Sequence, residues 1–242
     1  MPKLNIVIAC ISGRGGVSSP SGITALRDDL RNKLAPLGVD PDSIFRRSWN
    51  KNADDDPFGY PWVTDLNAEI NQRSTNPDYL ALIGHSYGGW AACRLSRKTN
   101  RTPDFIALLD PVFGVRNSMG SKDIPRGLSI TNWYQNNCII LGDVCTEIGK
   151  VPCSSSSAGL SCGYSDVPGA VNIKEEFMKD YDGNRERETC PFGHKHILTS
   201  HTEMDDNQWI RRQICEKIYD DIRKLIATSE EFQLISILLT KL

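Results

Sequence analysis

Tyr79-Leu80-Ala81-Leu82-Ile83-Gly84-His85-Ser86-Tyr87-Gly88-Gly89 runs from an unbroken apolar segment into a glycine-flanked serine. The apolar segment shows no alternation of polar and apolar positions. A strand of that kind is covered on both faces, as in a parallel sheet between helices. Gly84 to Gly89 contains the pattern G-x-S-x-G, and Gly88 to Arg97 continues as a helix. By itself the pattern is short enough to arise by chance. A strand entering the turn and a helix leaving it give it meaning. They place Ser86 on a strained corner above the sheet edge, with glycines two before and two after leaving room. The N-terminus of the helix favours developing negative charge there. The bland alternative is a tight turn with a spectator serine.

Outward from this turn, the same kinds of segment alternate. Leu4 to Ile11 reads as a buried first strand, and Ile23 to Leu37 as a helix with Leu26, Leu30 and Leu34 on one face. Ser43 to Trp49 is a more polar strand, Asn50 to Gly59 a loop, and Pro61 to Arg73 a helix with proline in its first turn. Phe105 to Leu109 is a third buried strand ending in Asp110-Pro111, and Leu128 to Gln135 a fourth candidate beyond it. Gln208 to Ala227 is a long amphipathic helix with Ile210, Ile214, Ile218, Ile222 and Leu225 on one face, and the apolar tail Phe232 to Leu242 is expected to pack down or serve as an interaction strip. The expected architecture is one α/β domain over 1–242, a mostly parallel sheet flanked by helices without a large cap. It carries a cysteine- and serine-rich insertion at about 136–171, a stretch of low periodicity that is either a lid or a tolerated surface excursion.

Bulk properties exclude several classes of function. The formal net charge of the 242 residues is -2, and no basic field points to nucleic acid or an anionic membrane surface. No apolar stretch reaches the ~18 residues that a membrane span needs. The apolar start is too short for a signal peptide, which leaves cytoplasmic and secreted locations both open, as is the oligomeric state. Of the eight cysteines, Cys10, Cys93 and Cys215 fall in core segments. Cys138, Cys145, Cys153, Cys162 and Cys190 cluster, and fit either two disulfides with one thiol over or free thiols.

A serine hydroxyl needs a base to act as a nucleophile, and the base needs a carboxylate to orient it. After a strand, G-x-S-x-G and helix, these partners follow in the chain order acid, then histidine. Asp110 ends the next buried strand, at the sheet edge where sites gather, with Asp143 and Asp166 as rivals. Among the four histidines, His201 stands just before the last long helix, and the acids Asp205-Asp206 suit the first turn of that helix. His194 and His196 are the alternatives and look set to flank a strand or turn, while the side chain of His85 is expected to point away from the site. Backbone N–H groups for an oxyanion would come from Tyr87 and from the loop Ser12-Gly13-Arg14-Gly15-Gly16, with Arg14 nominated and Gly13 its near rival. Cys190, His194, His196 and His201 also offer metal-ligand chemistry, but at no familiar zinc spacing. No cofactor is called for.

Gly84-His85-Ser86-Tyr87-Gly88-Gly89, Leu108-Leu109-Asp110-Pro111-Val112 and His201-Thr202-Glu203-Met204-Asp205 together make the chain resemble an α/β-hydrolase of the lipase and esterase type, its acid segment similar to that of chlorophyllase-like members. The resemblance spans roughly Leu4 to Ala227. It implies an α/β-hydrolase fold and cleavage of a carboxylic ester, small-molecule or lipid, by Ser86, Asp110 and His201. Acyl transfer or thioester hydrolysis would use the same residues, and a non-catalytic hydrolase-like protein is the third alternative. Many lipases have His-Gly where this chain has Ser12-Gly13.

Overall fold

A computed structural model describes residues 4–13, 21–50, 60–139, 162–190 and 193–239. Its centre is a six-stranded sheet made of β1 (Ile6–Ser12), β2 (Ile44–Ser48), β3 (Tyr79–His85), β4 (Phe105–Leu109), β5 (Ser129–Tyr134) and β6 (Val171–Lys174). The order is β2-β1-β3-β4-β5-β6, and every neighbouring pair is parallel. Parallel neighbours require crossovers. Helices α1 (Ile23–Leu34), α2 (Val63–Arg73) and α3 (Tyr87–Leu95) supply those from β1 to β2, β2 to β3 and β3 to β4, the β4–β5 connection, described throughout, has no helix, and α4 (Gln208–Leu239) follows at the end. Among the described residues no large cap domain is present, and no helix is long and apolar enough to cross a membrane.

The two-residue period of the strands divides the core. Ile6, Ile8 and Cys10 of β1, Ala81 and Ile83 of β3, and Phe105, Ala107 and Leu109 of β4 face α1 and α4, which contribute Leu26, Leu30, Ile214 and Ile218. The alternate residues Val7, Ala9, Ile11, Leu80, Leu82, Ile106 and Leu108 face α2 and α3. Both faces are covered, which is why these strands read as continuous apolar runs. Each fully buried aliphatic side chain contributes about 1.5–3 kcal/mol relative to exposure.

Several expectations are corrected in detail. α2 starts at Val63, and Pro61 precedes its N-cap, Trp62. α1 ends at Leu34, and Ala35–Leu37 tightens into a 3₁₀ turn closed by Gly38 at φ 75°. β6 closes the sheet at the end of the supposed insertion and was not foreseen. Its residues Val171, Asn172 and Lys174 are exposed, so it lacks the apolar run that marks the inner strands. Residues 140–161 of that insertion lie outside the described residues, as do Cys145 and Cys153. Cys138 and Cys190 are disulfide-bonded. Cys10, Cys93 and Cys215 are buried free thiols. Burial pushes Cys10 and Cys215 up to about 12, so they are inert core residues. The backbone of α4 stays helical to Leu239. The expected packing of the tail falls on side chains outside those described.

Candidate active site

The C-terminal ends of β3 and β4 build the site. Ser86 sits between β3 and α3 at φ 57° and ψ -126°. That conformation costs a residue with a Cβ about 1–3 kcal/mol, and its surroundings must hold it there. The Ser86 N–H donates to the Leu109 carbonyl (3.0 Å), and its own carbonyl accepts from the Gly89 and Val112 N–H groups (3.0 Å each). Glycine spacing makes the corner possible. A Cβ on Gly84 would lie 2.2 Å from the Gly88 carbonyl oxygen, and one on Gly88 would lie 2.1 Å from that of Ile11.

His201 opens a 3₁₀ helix, His201–Asp206, immediately before α4. Its main-chain N–H donates to the Ile139 carbonyl (2.9 Å). Its Nε2 lies 2.8 Å from Ser86 Oγ and its Nδ1 lies 2.7 Å from Asp110 Oδ2. With the carboxylate as acceptor, Nδ1 carries the proton and Nε2 is left to accept from the serine hydroxyl. All three residues are buried, Asp110 completely. Asp110 is the sequence candidate brought to this position. Asp166 is exposed, and Asp143 lies outside the described residues.

Asp110 follows β4 in a left-handed conformation at φ 45°. Its main-chain N–H donates to the Trp133 carbonyl of β5 (2.7 Å). Its carboxylate accepts from the Gln135 main-chain N–H (3.0 Å), Gln135 Nε2 (2.9 Å) and the Gly163 N–H (2.7 Å), besides His201. Its lone pairs are therefore saturated and its rotation is stopped. Sequence reasoning missed Gln135 and Gly163. Gln135 ends the strand candidate next to Asp110, so its place at the same sheet edge was within reach. Nothing local distinguishes Gly163.

The remaining candidates are placed as follows. Tyr87 opens α3, where a backbone N–H points out of the helix end toward whatever lies above it. Its buried ring stacks on Trp49 (4.9 Å between centroids), and the main-chain N–H of Trp49 donates to the Ser12 carbonyl (3.0 Å). Gly13 backs directly onto the serine, since a Cβ there would lie 2.6 Å from Ser86 Cβ and 3.1 Å from Oγ. Arg14 lies outside the described residues.

His194 and His196 sit on β8 (Gly193–His196), which pairs antiparallel with β7 (Arg187–Cys190) in a hairpin apart from the sheet. His194 Nδ1 contacts Thr189 Oγ1 (3.2 Å), and His196 meets the edge of Phe177. Among the described residues no three histidine, cysteine or acidic side chains are grouped to hold a metal, and the sulfur of Cys190 is committed to a disulfide.

Two expectations are overturned near His201. Asp205 and Asp206 do not cap the last helix, which starts at Gln208 with no acid in its first turn. They reach across to α1, where Asp206 Oδ1 accepts from the Gly22 N–H (2.6 Å) and Asp205 Oδ2 from the Ile23 N–H (2.9 Å). The side chain of His85 does not point away either. Its ring lies 5.3 Å from that of His201. The chain was compared with protein-family models, with curated proteins and with solved structures, and none of them matches it.

Proposed function

We propose that this chain is a serine hydrolase of the α/β-hydrolase kind that cleaves carboxylic esters through an acyl-enzyme. One observation carries the reading: Ser86 Oγ, the His201 ring and Asp110 form an unbroken line of hydrogen bonds of 2.8 and 2.7 Å, on a serine held in a conformation that side chains avoid. Backbone strain kept at both Ser86 (φ 57°) and Asp110 (φ 45°), at one edge of the sheet, supports a functional role.

In the reaction, Ser86 Oγ attacks the ester carbonyl while its proton passes to His201 Nε2. The imidazolium so formed is stabilised by Asp110, which stays ionised. His201 then hands the proton to the departing alkoxide oxygen as the C–O bond breaks. A water, deprotonated by His201 in its turn, attacks the acyl carbon; the bond to Ser86 Oγ breaks, His201 returns the proton to that oxygen, and the acid is released. The donors assigned to the oxyanion are the Tyr87 N–H and one backbone N–H of the loop after β1, from Arg14 or its rival Gly13. Each donor of this type is worth about 2.7–4 kcal/mol of barrier. The substrate class is a small-molecule or lipid ester.

The test is covalent labelling by a fluorophosphonate probe, which phosphonylates only an activated serine. Wild type is expected to label on Ser86 and Ser86→Ala not at all. Equal labelling of the two proteins, or none of wild type, overturns the reading.

A further inference from the structure

His85 is a buried, titratable side chain next to the nucleophile that the chemistry above leaves unused. Both of its ring nitrogens face acceptors. Nε2 lies 2.7 Å from the main-chain carbonyl oxygen of His201, and Nδ1 lies 3.3 Å from Asp205 Oδ2. A neutral imidazole has one N–H and would set its other lone pair against an oxygen. Only the imidazolium donates to both.

Asp205 is itself fixed. Its Oδ2 receives the first N–H of α1, and a Cβ on Gly22 would lie 2.2 Å from that same oxygen, so the close approach needs glycine. A continuous path thus runs from the N-terminus of α1 through Asp205 and His85 to the main chain of His201.

The charged and titratable groups that bear on His85 are Asp205 from the 3₁₀ helix, the ring of His201, and Asp110 beyond β4. Asp206 lies beside Asp205, and Arg46 of β2 acts on it in turn. Burial by itself disfavours the imidazolium. The Asp205 carboxylate, the His201 carbonyl and Asp110 together outweigh burial and lift the His85 pKa to about 9.

We propose that His85 is a positioning residue for the reaction, an inference that rests on the serine-hydrolase reading: held as an imidazolium by Asp205, it grips the main chain of His201 and keeps that base in line with Ser86. It touches neither substrate nor reacting atoms. Deprotonation leaves one N–H for two acceptors; the charged Asp205 carboxylate is the stronger acceptor and keeps it on Nδ1, so Nε2 turns a lone pair to the His201 carbonyl and the grip is released. The catalytic rate therefore has an alkaline limb that belongs to His85, separate from the acid limb that any histidine base imposes.

The experiment compares wild type, His85→Gln, His85→Leu and Asp205→Asn. It measures kcat and KM on a soluble p-nitrophenyl ester from about pH 5 to about pH 10, the rate of fluorophosphonate labelling, and the imidazole ¹⁵N spectrum of Ser86→Ala protein. Wild-type kcat is expected to fall above about pH 9. His85→Gln can still donate to the His201 carbonyl but does not titrate. It is expected to lose the alkaline limb and keep kcat within about tenfold, whereas His85→Leu loses about a hundredfold in kcat with KM within about threefold. Asp205→Asn is expected to move the limb to lower pH. In the spectrum both His85 nitrogens should be protonated near neutral pH.

The proposal is overturned if His85→Leu and His85→Gln keep the wild-type kcat and its alkaline limb, or if the His85 ring is neutral near pH 7. Should His85→Leu not fold, His85→Gln, Asp205→Asn and the spectrum decide. Wild type that fails to label would instead remove the hydrolase reading, and the positioning role with it. Wild type that labels beside indifferent His85 variants would remove the positioning role alone.

Discussion

Replacing Gly163 with alanine tests whether the loop after the cysteine-rich segment sets the acid of the site. Gly163 gives its N–H to Asp110 Oδ1 at 2.7 Å, and the next residue, Tyr164, gives its N–H to the Pro111 carbonyl at 2.7 Å. A Cβ at position 163 would lie 2.4 Å from the Asp110 carbonyl carbon and 2.5 Å from both its Cα and Oδ1. Ordinary contact begins near 3.4 Å, so loop and acid must separate by about 1 Å. That separation takes the hydrogen bond at Oδ1 out of range and leaves a buried carboxylate short of a donor, at about 1–3 kcal/mol of stability. A displacement of about 1 Å at the group that orients the base costs roughly a hundredfold in rate. Gly163→Ala should therefore unfold at lower urea and turn over an ester roughly a hundredfold more slowly. Gly38→Ala is the control for a glycine replaced away from the site. It forces a side chain into positive φ, at 75°, but into open space, so it should lose about 1 kcal/mol of stability and no activity. Gly163→Ala with turnover within about twofold of wild type would show that Asp110 is set without this loop.

Ser86→Ala and His201→Ala should each lower kcat on the order of a million-fold, and the double variant should be no slower than either; additive losses would break the serine–histidine unit. Asp110→Asn should lower kcat by about ten-thousand-fold by fixing the wrong ring tautomer, whereas Asp166→Asn, at an exposed position, should leave it unchanged; the reverse pattern relocates the acid. Stability should depend on pH through the His85–Asp205 pair. His85 is destabilised as a cation by burial but raised overall by Asp205, from 6.5 to about 9, so its contribution is fully present below about pH 6.5 and lost as pH rises through about 9. Asp205, penalised by burial but lowered overall by His85, contributes above its ordinary 3.8, and that part is lost as pH falls through its depressed value. The His85 contribution is on the order of 3 kcal/mol, read as a slope of urea stability between about pH 6.5 and 9 that disappears in His85→Leu; an unchanged slope in that variant refutes it. Thiol titration of unreduced, denatured protein should find fewer than eight free thiols, because Cys138 and Cys190 are bonded; eight would contradict the bridges.

What could be read in the sequence was whatever depends on neighbours along the chain. Tyr79 to Gly89 carries its own instructions. The apolar run needs two covered faces, and glycines at 84, 88 and 89 permit a corner in which an added Cβ would meet its neighbours at 2.1 to 2.6 Å. Asp110 was legible for a similar reason, since a parallel sheet brings the ends of consecutive strands to one edge, and β4 lies beside β3. His201 followed from chain order and from the helix after it. Illegible were the groups whose partners are distant in sequence. Asp205 and Asp206 carry the right chemistry for a helix N-terminus, and the nearest one was assumed. The helix they cap is 182 and 184 residues away, because their 3₁₀ helix crosses to α1. β6 was hidden because an exposed edge strand need not be apolar. Gly163 was hidden because its role lies in a missing side chain facing a residue 53 positions earlier.

His85 shows most plainly why such groups escape. From its place inside the elbow, adjacent to Ser86, its side chain is expected to point away from the site. The ring instead lies 5.3 Å from that of His201. The chain returning from β8 brings the main chain of His201 against it, and Asp205 follows within the same 3₁₀ helix. Ser86 thus points its hydroxyl at the imidazole of His201 while His85 points at the carbonyl of the same residue. One dipeptide, His85-Ser86, engages both the ring and the main chain of His201, and the shared partner exists only once the sheet has brought residues 85 and 201 together.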